Sequence, residues 1–180
     1  MAVKIALLRA INVGGRSKLA MSDLRKVFDE MGLADIRTIL QTGNVIFRSE
    51  KLSDDKLSAR VQQQLVSELG LQTDVVVRSA EEWAKIVAAN PFPDIAKDKP
   101  NLLVLMLLKS RPNAEAVESL RSVIKGPEII EMNGAQLYIS YPDGIGRSKL
   151  TNTLIESKLG ARGTGRNWNT VLKIADVACR

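Results

Sequence analysis

The sequence of 180 residues contains no histidine and only one cysteine, and this scarcity limits the chemistry open to it. Without imidazole the chain cannot form a Ser-His-Asp or Cys-His nucleophilic site, or a zinc or non-haem iron site that uses histidine. Cys179 alone forms neither an intramolecular disulfide nor a cysteine-rich metal centre. We therefore expect no metal and no cofactor, and the low cysteine content predicts a cytoplasmic protein.

Aromatic residues and long hydrophobic runs are also scarce. Phe, Trp and Tyr together make up 4% of the chain, which is low for a protein that stacks single-stranded bases on aromatic rings. The apolar stretch near residue 1 is only seven residues long and is interrupted by Lys4 and Arg9. It is too short for a signal peptide or a membrane span, so we expect no membrane partner.

Basic side chains are concentrated towards the C-terminus. The formal net charge is +6, yet residues 1–143 carry 19 basic and 18 acidic side chains, and residues 144–180 carry 7 and 2. An excess of this kind predicts a surface that faces an anion, although solvated charge without a function gives the same count.

Apolar periodicity predicts an α+β fold with two ferredoxin-like (α-β plait) subdomains. Residues 1–78 follow the order β-α-β-β-α-β, with Ser22 as the N-cap of the first helix. A helix and a proline-rich connection occupy residues 79–100. The pattern then restarts, and residues 101–180 predict a second plait-like subdomain with an extra C-terminal helix but no evident final strand.

Three polar, glycine-rich segments are the candidates for ligand binding: residues 9–15, 143–149 and 163–170. Glycines allow backbone N–H groups to approach a ligand, and Arg or Lys near a helix start favours phosphate or carboxylate. None of the segments matches the P-loop or the dinucleotide fingerprint. Turn-forming and helix-capping roles for the same residues stay open.

Five segments, in this order, resemble the signatures of one bacterial family: LLRAINVGG (7–15), LQTGNVIF (40–47), ANPF (89–92), YPDGIGRSKL (141–150) and GRNWNTVLKIA (165–175). By these the chain is identified as a member of the bacterial domain of unknown function 1697 family over essentially its whole length. Ala10 replaces the glycine that is common in the first signature. The resemblance implies a pair of α-β plait subdomains and assigns no activity.

The candidate ligand-binding residues lie on four of these signatures, and no catalytic residue is assigned. They are Arg9, Asn12, Gly14, Gly15, Gln41, Asn44, Asp143, Gly144, Gly146, Arg147, Ser148, Lys149, Arg166, Asn167, Trp168 and Asn169.

The leading functional prediction is the binding of an anionic, phosphate-bearing ligand, a nucleotide or a nucleic acid, in a groove between the subdomains. Two alternatives stay open. The first is an enzyme acting on a small phosphorylated or amide-bearing substrate, with Asp143 as general base and Arg9, Arg147 and Arg166 stabilising negative charge. The second is a structural or interaction protein whose signatures only pack the two halves together. The sequence does not predict the oligomeric state.

Overall fold

Two four-stranded antiparallel sheets organise the chain in the computed structural model, which describes residues 1–15, 17–50 and 52–180. One compact unit comprises Met1–Lys85 together with Leu172–Arg180, and the other comprises Ile86–Val171. The first unit therefore contains the predicted first subdomain and extends beyond it.

The first unit has the β-α-β-β-α-β order of a ferredoxin-like fold, with strand order β2-β3-β1-β4 in its sheet. Its elements are β1 (Ala2–Leu8), α1 (Met21–Glu30), β2 (Ala34–Ile39), β3 (Asn44–Ser49), α2 (Asp54–Leu69) and β4 (Val75–Ser79), followed by α3 (Ala80–Ala88). The apolar alternation along β1 gives one face with Ala6 and Leu8, which packs in one core cluster with Leu24 of α1 and Leu57 of α2.

The first helix begins two residues earlier than an N-cap at Ser22 would place it. Helix α1 starts at Met21, and the N-cap is Ala20, which has extended backbone geometry and no capping side chain. The carbonyl of Ala20 accepts hydrogen bonds from the N–H groups of Asp23 and Leu24. The prediction of Ser22 as N-cap is therefore wrong, because Ser22 already lies inside the first turn.

The second unit repeats the same sheet order, β6-β7-β5-β8, so the prediction of two ferredoxin-like subdomains is confirmed. Its elements are α4 (Pro93–Asp98), β5 (Leu103–Leu108), α5 (Ala114–Val123), β6 (Ile129–Asn133), β7 (Gln136–Ser140), α6 (Asn152–Leu159), β8 (Gly163–Asn167) and the start of α7 (Trp168–Ala178), with short 3-10 helices at Pro100–Leu102 and Ile145–Arg147. From Leu172 onwards α7 belongs to the first unit. The proline-rich connection thus contains helical turns.

Strand β8 is the element that the sequence pattern fails to predict. It pairs antiparallel with β5, with Gly163 opposite Leu108 and Gly165 opposite Met106. A Cβ atom on Gly163 would lie 2.7 Å from the carbonyl oxygen of Leu107, so only glycine fits at this point of closest approach. The glycine-rich segment 163–170, predicted as a connection without a final strand, therefore forms β8 and the first residues of α7. The strand is not evident in the sequence because the glycines that permit this pairing take the place of the apolar residues by which strands are recognised.

A partly buried ion pair in the first unit links β1 to the start of α2. The Lys4 ammonium lies 2.5 Å from Asp54 Oδ1. Burial by itself raises the pKa of Asp54, but hydrogen bonds with Lys4 and Glu82 and the charges of Lys4 and Arg78 lower it, and the net pKa lies below the usual 3.8. The ionised carboxylate therefore stabilises the folded state.

We expect Asp54→Asn to destabilise the protein slightly at neutral pH, because the carboxylate is partly exposed, and to have less effect in acid. A carboxyl whose folded-state pKa is lowered contributes stability above its unfolded pKa and loses that contribution as the pH falls through the folded value. Urea unfolding from neutral pH to about pH 2.5 should show the difference from wild type shrinking below pH 3.8. Asp55→Asn, on the exposed side of the same turn, is the control, and a difference that stays constant with pH would contradict this account.

Candidate functional site

A pocket of about 480 Å³ in the second unit brings several charged side chains together. Its walls come from residues 123–128, which join α5 to β6, and from residues 143–154, which lie between β7 and α6 and include the first turn of α6. The lining residues are Val123, Ile124, Lys125, Gly126, Pro127, Glu128, Asp143, Arg147, Lys149, Leu150 and Leu154. The volume lies within the range of pockets that bind small molecules.

The register of the sheet explains why these two segments meet. Ile129, the first residue of β6, pairs with Ser140, the last residue of β7. The chain entering β6 and the chain leaving β7 therefore lie side by side. Helix α5 ends at Val123, and the N–H of its C-cap residue Ile124 donates to the Arg121 carbonyl. The Gly126-Pro127 turn then leads into the strand.

A side-chain hydrogen bond connects the two walls. The Ser148 hydroxyl donates to Glu128 Oε1 at 2.6 Å, and Ser148 Oγ also accepts from the Leu150 N–H at 3.0 Å. The other carboxylate oxygen of Glu128 lies over Gly126, where an added Cβ would be only 2.4 Å away. Glu128 is therefore held by one hydrogen bond, which connects its segment to the one that carries Arg147 and Lys149.

Tyr141 connects the segment that carries Arg147 and Lys149 to the core of the second unit. Its hydroxyl donates to the Leu150 carbonyl at 3.0 Å, and its ring belongs to the core of the second unit. Burial, with a smaller contribution from the charge of Glu128, raises the pKa of Tyr141 to about 12. The phenol thus remains a hydrogen-bond donor across the physiological pH range.

Three exposed cations, Lys125, Arg147 and Lys149, line the pocket together with the carboxylates of Glu128 and Asp143. Within the part of the chain that the structure describes, none of the three cations makes an ion pair. The rest of the lining is mostly apolar, from Val123, Ile124, Pro127, Leu150 and Leu154. Such an arrangement can hold a molecule that is anionic at one end and apolar at the other.

The fourth signature is the predicted segment that reaches this pocket. Asp143, Arg147 and Lys149 line it, and Ser148 braces it through Glu128. Gly144 closes a turn, with its N–H bonded to the Tyr141 carbonyl, and Gly146 lies within the 3-10 helix.

The last signature lies in β8 and at the start of α7, and its side chains mainly hold the unit together. Arg166 is buried, and its guanidinium donates to Thr164 Oγ1 at 2.6 Å and to the Gly165 carbonyl at 2.8 Å. Burial lowers the pKa of Arg166 to about 10. Asn167 accepts from the Thr170 N–H, which caps α7, whereas Asn169 is exposed.

Trp168 is 3% exposed and packs near Tyr138, with ring centroids 6.4 Å apart. This position matches the core-packing alternative for Trp168, and a ligand would have little of the ring to stack on.

The first and second signatures meet in the first unit, beyond the end of β1. The Asn12 amide donates to the Leu19 and Gln41 carbonyls, and its oxygen accepts from the Leu19 N–H. Asn44 is fully buried and donates to the Ile39 carbonyl. Arg9 is half-buried, and its carbonyl accepts from Thr73 Oγ1. The exposed residues among these candidates are Gly14, Gly15 and Gln41.

Sequence reasoning missed two charged residues of the pocket, Lys125 and Glu128. They precede β6 and reach the fourth signature only through the pairing of β6 with β7. No local signal marked them, because Lys125-Gly126-Pro127-Glu128 has the composition of an ordinary turn between a helix and a strand.

Comparison with known families gives a match to the model described as "Protein of unknown function (DUF1697)" over residues 1–138. The chain belongs to this family. The first three signatures of the DUF1697 chain lie inside the matched region, while the fourth and the last lie beyond it. No curated protein matches the sequence.

Among solved structures, the DUF1697 chain is similar to "conserved bacterial protein SP0830 from Streptococcus pneumoniae". The TM-score is 0.77 at 17% sequence identity, and the alignment covers 98% of each chain. At this identity the likeness concerns the fold alone. Across residues 1–15, 17–50 and 52–180, none of the helices has both the length and the apolar character needed to cross a bilayer.

The contact of Gly43 with β1 gives a test of how the first two signatures are held in this DUF1697 chain. Gly43 has a φ of +79°, and an added Cβ would lie 2.8 Å from Leu8 Cβ. We expect Gly43→Ala to destabilise the protein by about 2–4 kcal/mol, from backbone strain plus overpacking. Gly70 has a φ of +60° with open space around it, so Gly70→Ala should cost only about 1–2 kcal/mol. If urea unfolding gave the same decrease in the free energy of unfolding for Gly43→Ala and Gly70→Ala, the contact of the added Cβ with Leu8 would have no energetic cost.

Proposed function

We propose that the second unit binds a small phosphate-bearing molecule in the pocket between residues 123–128 and 143–154. The observation that carries this proposal is the convergence of Lys125, Arg147 and Lys149, which make no ion pair in the described part of the chain, on one pocket with an apolar wall. Cations that do not serve the fold itself are available to a ligand. A cytoplasmic location, where phosphorylated small molecules are abundant, is part of the proposal.

The chemistry of the three cations favours phosphate. A guanidinium such as that of Arg147 forms paired hydrogen bonds with phosphate oxygens, and lysines add point charges on flexible stems. The pocket carries three basic and two acidic side chains, and one of the acids, Glu128, already accepts a hydrogen bond from Ser148. A hydroxyl donor leaves the charge of that carboxylate unchanged, so the lining as a whole has one more basic than acidic side chain.

The size of the site favours a small ligand over a polymer. A pocket of about 480 Å³ has room for one nucleotide-sized molecule. Recognition of nucleic acid usually depends on many phosphate contacts along an extended basic surface. Of the seven basic residues in 144–180, Arg147 and Lys149 line this pocket, and Arg166 is buried.

We expect Arg147→Ala to weaken the binding of nucleoside monophosphates at least about tenfold, because it removes a charge-assisted pair of hydrogen bonds. Isothermal titration calorimetry and the ligand-induced rise in Tm both measure this loss. Arg111→Ala is the matched control, since Arg111 is exposed in the same unit and does not line the pocket.

Two results would contradict the proposal. The first is equal binding by the Arg147 and Arg111 variants, which would place the ligand elsewhere. The second is a single-stranded oligonucleotide that binds more than about a hundredfold more tightly than any mononucleotide, which would identify a polymer as the ligand.

A further inference from the structure

We infer that Glu128 selects a nucleoside monophosphate whose base carries an exocyclic amino group, so that a cytosine nucleotide binds in preference to a uracil nucleotide. This inference rests on the proposed phosphate site and assigns a specificity-determining residue to it. The observation behind it is a fixed carboxylate inside a pocket that is otherwise built for an anion.

Glu128 is oriented by one hydrogen bond within the protein. One carboxylate oxygen accepts from the Ser148 hydroxyl at 2.6 Å, and the other occupies the space beside Gly126 where a larger residue would place its Cβ. A carboxylate has about four acceptor positions, so a single hydroxyl leaves most of them for other donors. Glu128 is half-buried and lines the pocket, so the remaining acceptor positions are available to a molecule inside it.

A carboxylate in this place discriminates between the two ends of a ligand. An ionised carboxylate accepts hydrogen bonds and donates none, so it repels phosphate and carbonyl oxygens and attracts amino groups. The phosphate must therefore bind at the cations, and the part of the ligand at Glu128 must be a donor. Val123, Pro127 and Leu150 supply apolar surface for the body of the ligand.

An amino-bearing nucleobase combines these properties. Its faces are apolar enough to lie on the aliphatic wall, its exocyclic amine donates to a carboxylate, and its phosphate is at the far end of the molecule. Cytosine has an amino donor at position 4, whereas uracil, like thymine, has a carbonyl acceptor there. The two nucleotides thus differ in the one group that Glu128 is placed to distinguish.

The test compares cytidine and uridine 5′-monophosphates by calorimetry on the full chain. We expect the wild type to bind the cytidine nucleotide about tenfold or more tightly than the uridine nucleotide. Glu128→Gln should bring the two affinities within about twofold, because an amide both donates and accepts while its oxygen still accepts from Ser148. Glu115→Gln, an exposed carboxylate at the opposite end of α5, should keep the preference.

The possible results separate this inference from the proposed function. Equal affinities for the two nucleotides in the wild type, with both weakened by Arg147→Ala, overturn the role of Glu128 and leave the phosphate site standing. A preference that survives Glu128→Gln but disappears in Asp143→Asn also overturns it. Failure of both nucleotides and of inorganic phosphate to bind the wild type overturns the two proposals together. If Glu128→Gln misfolds, as its Tm would show, Asp143→Asn decides the matter: a preference that is kept in this variant supports the role of Glu128, and one that is lost overturns it.

Discussion

The burial of the central strand β5 determines which strands must lie beside it in the second unit. All six of its residues, Leu103–Leu108, are buried, and buried backbone N–H and C=O groups must find hydrogen-bond partners. Strand β7 supplies them on one side and β8 on the other. The need for a neighbour on each side explains why the glycine-rich segment at 163–167 becomes a strand despite its poor propensity. The same requirement sets the position of β7 in the sheet. Because β6 pairs with β7, it also sets the place where the chain enters β6.

The two units share the same strand order but differ in the length of the connection between the third strand and the second helix of the ferredoxin-like order. In the first unit four residues separate β3 from α2, whereas in the second eleven separate β7 from α6. The longer connection leaves the sheet edge, forms a 3-10 helix and returns, and the pocket lies between it and the chain that enters β6. The pocket of about 480 Å³ therefore depends on the length of this connection rather than on the topology, which is how folds commonly acquire sites without changing their core.

The fold was largely predictable from the sequence because most strands are short apolar runs bounded by polar or glycine-containing segments, and because Asn133-Gly134 and Gln41–Asn44 are strong turn signals. Part of the candidate site was predictable too, since Asp143, Arg147 and Lys149 fall in a polar glycine-rich segment. Lys125 and Glu128 were not, because only the pairing of Ile129 with Ser140 brings them to that segment. Pairing register is a tertiary property, and local patterns do not encode it.

Burial explains why a count of charges does not locate a site. The excess of basic residues after position 143 suggested that Arg147, Lys149 and Arg166 act together, but the Arg166 guanidinium is bonded within β8, and Lys125 lies outside the basic segment. Glu128 also belongs to the pocket, and it connects the two walls through Ser148, which lies between Arg147 and Lys149 in the sequence. In the proposed complex the same carboxylate would therefore influence both the position of this loop and the choice of the ligand group that lies against it.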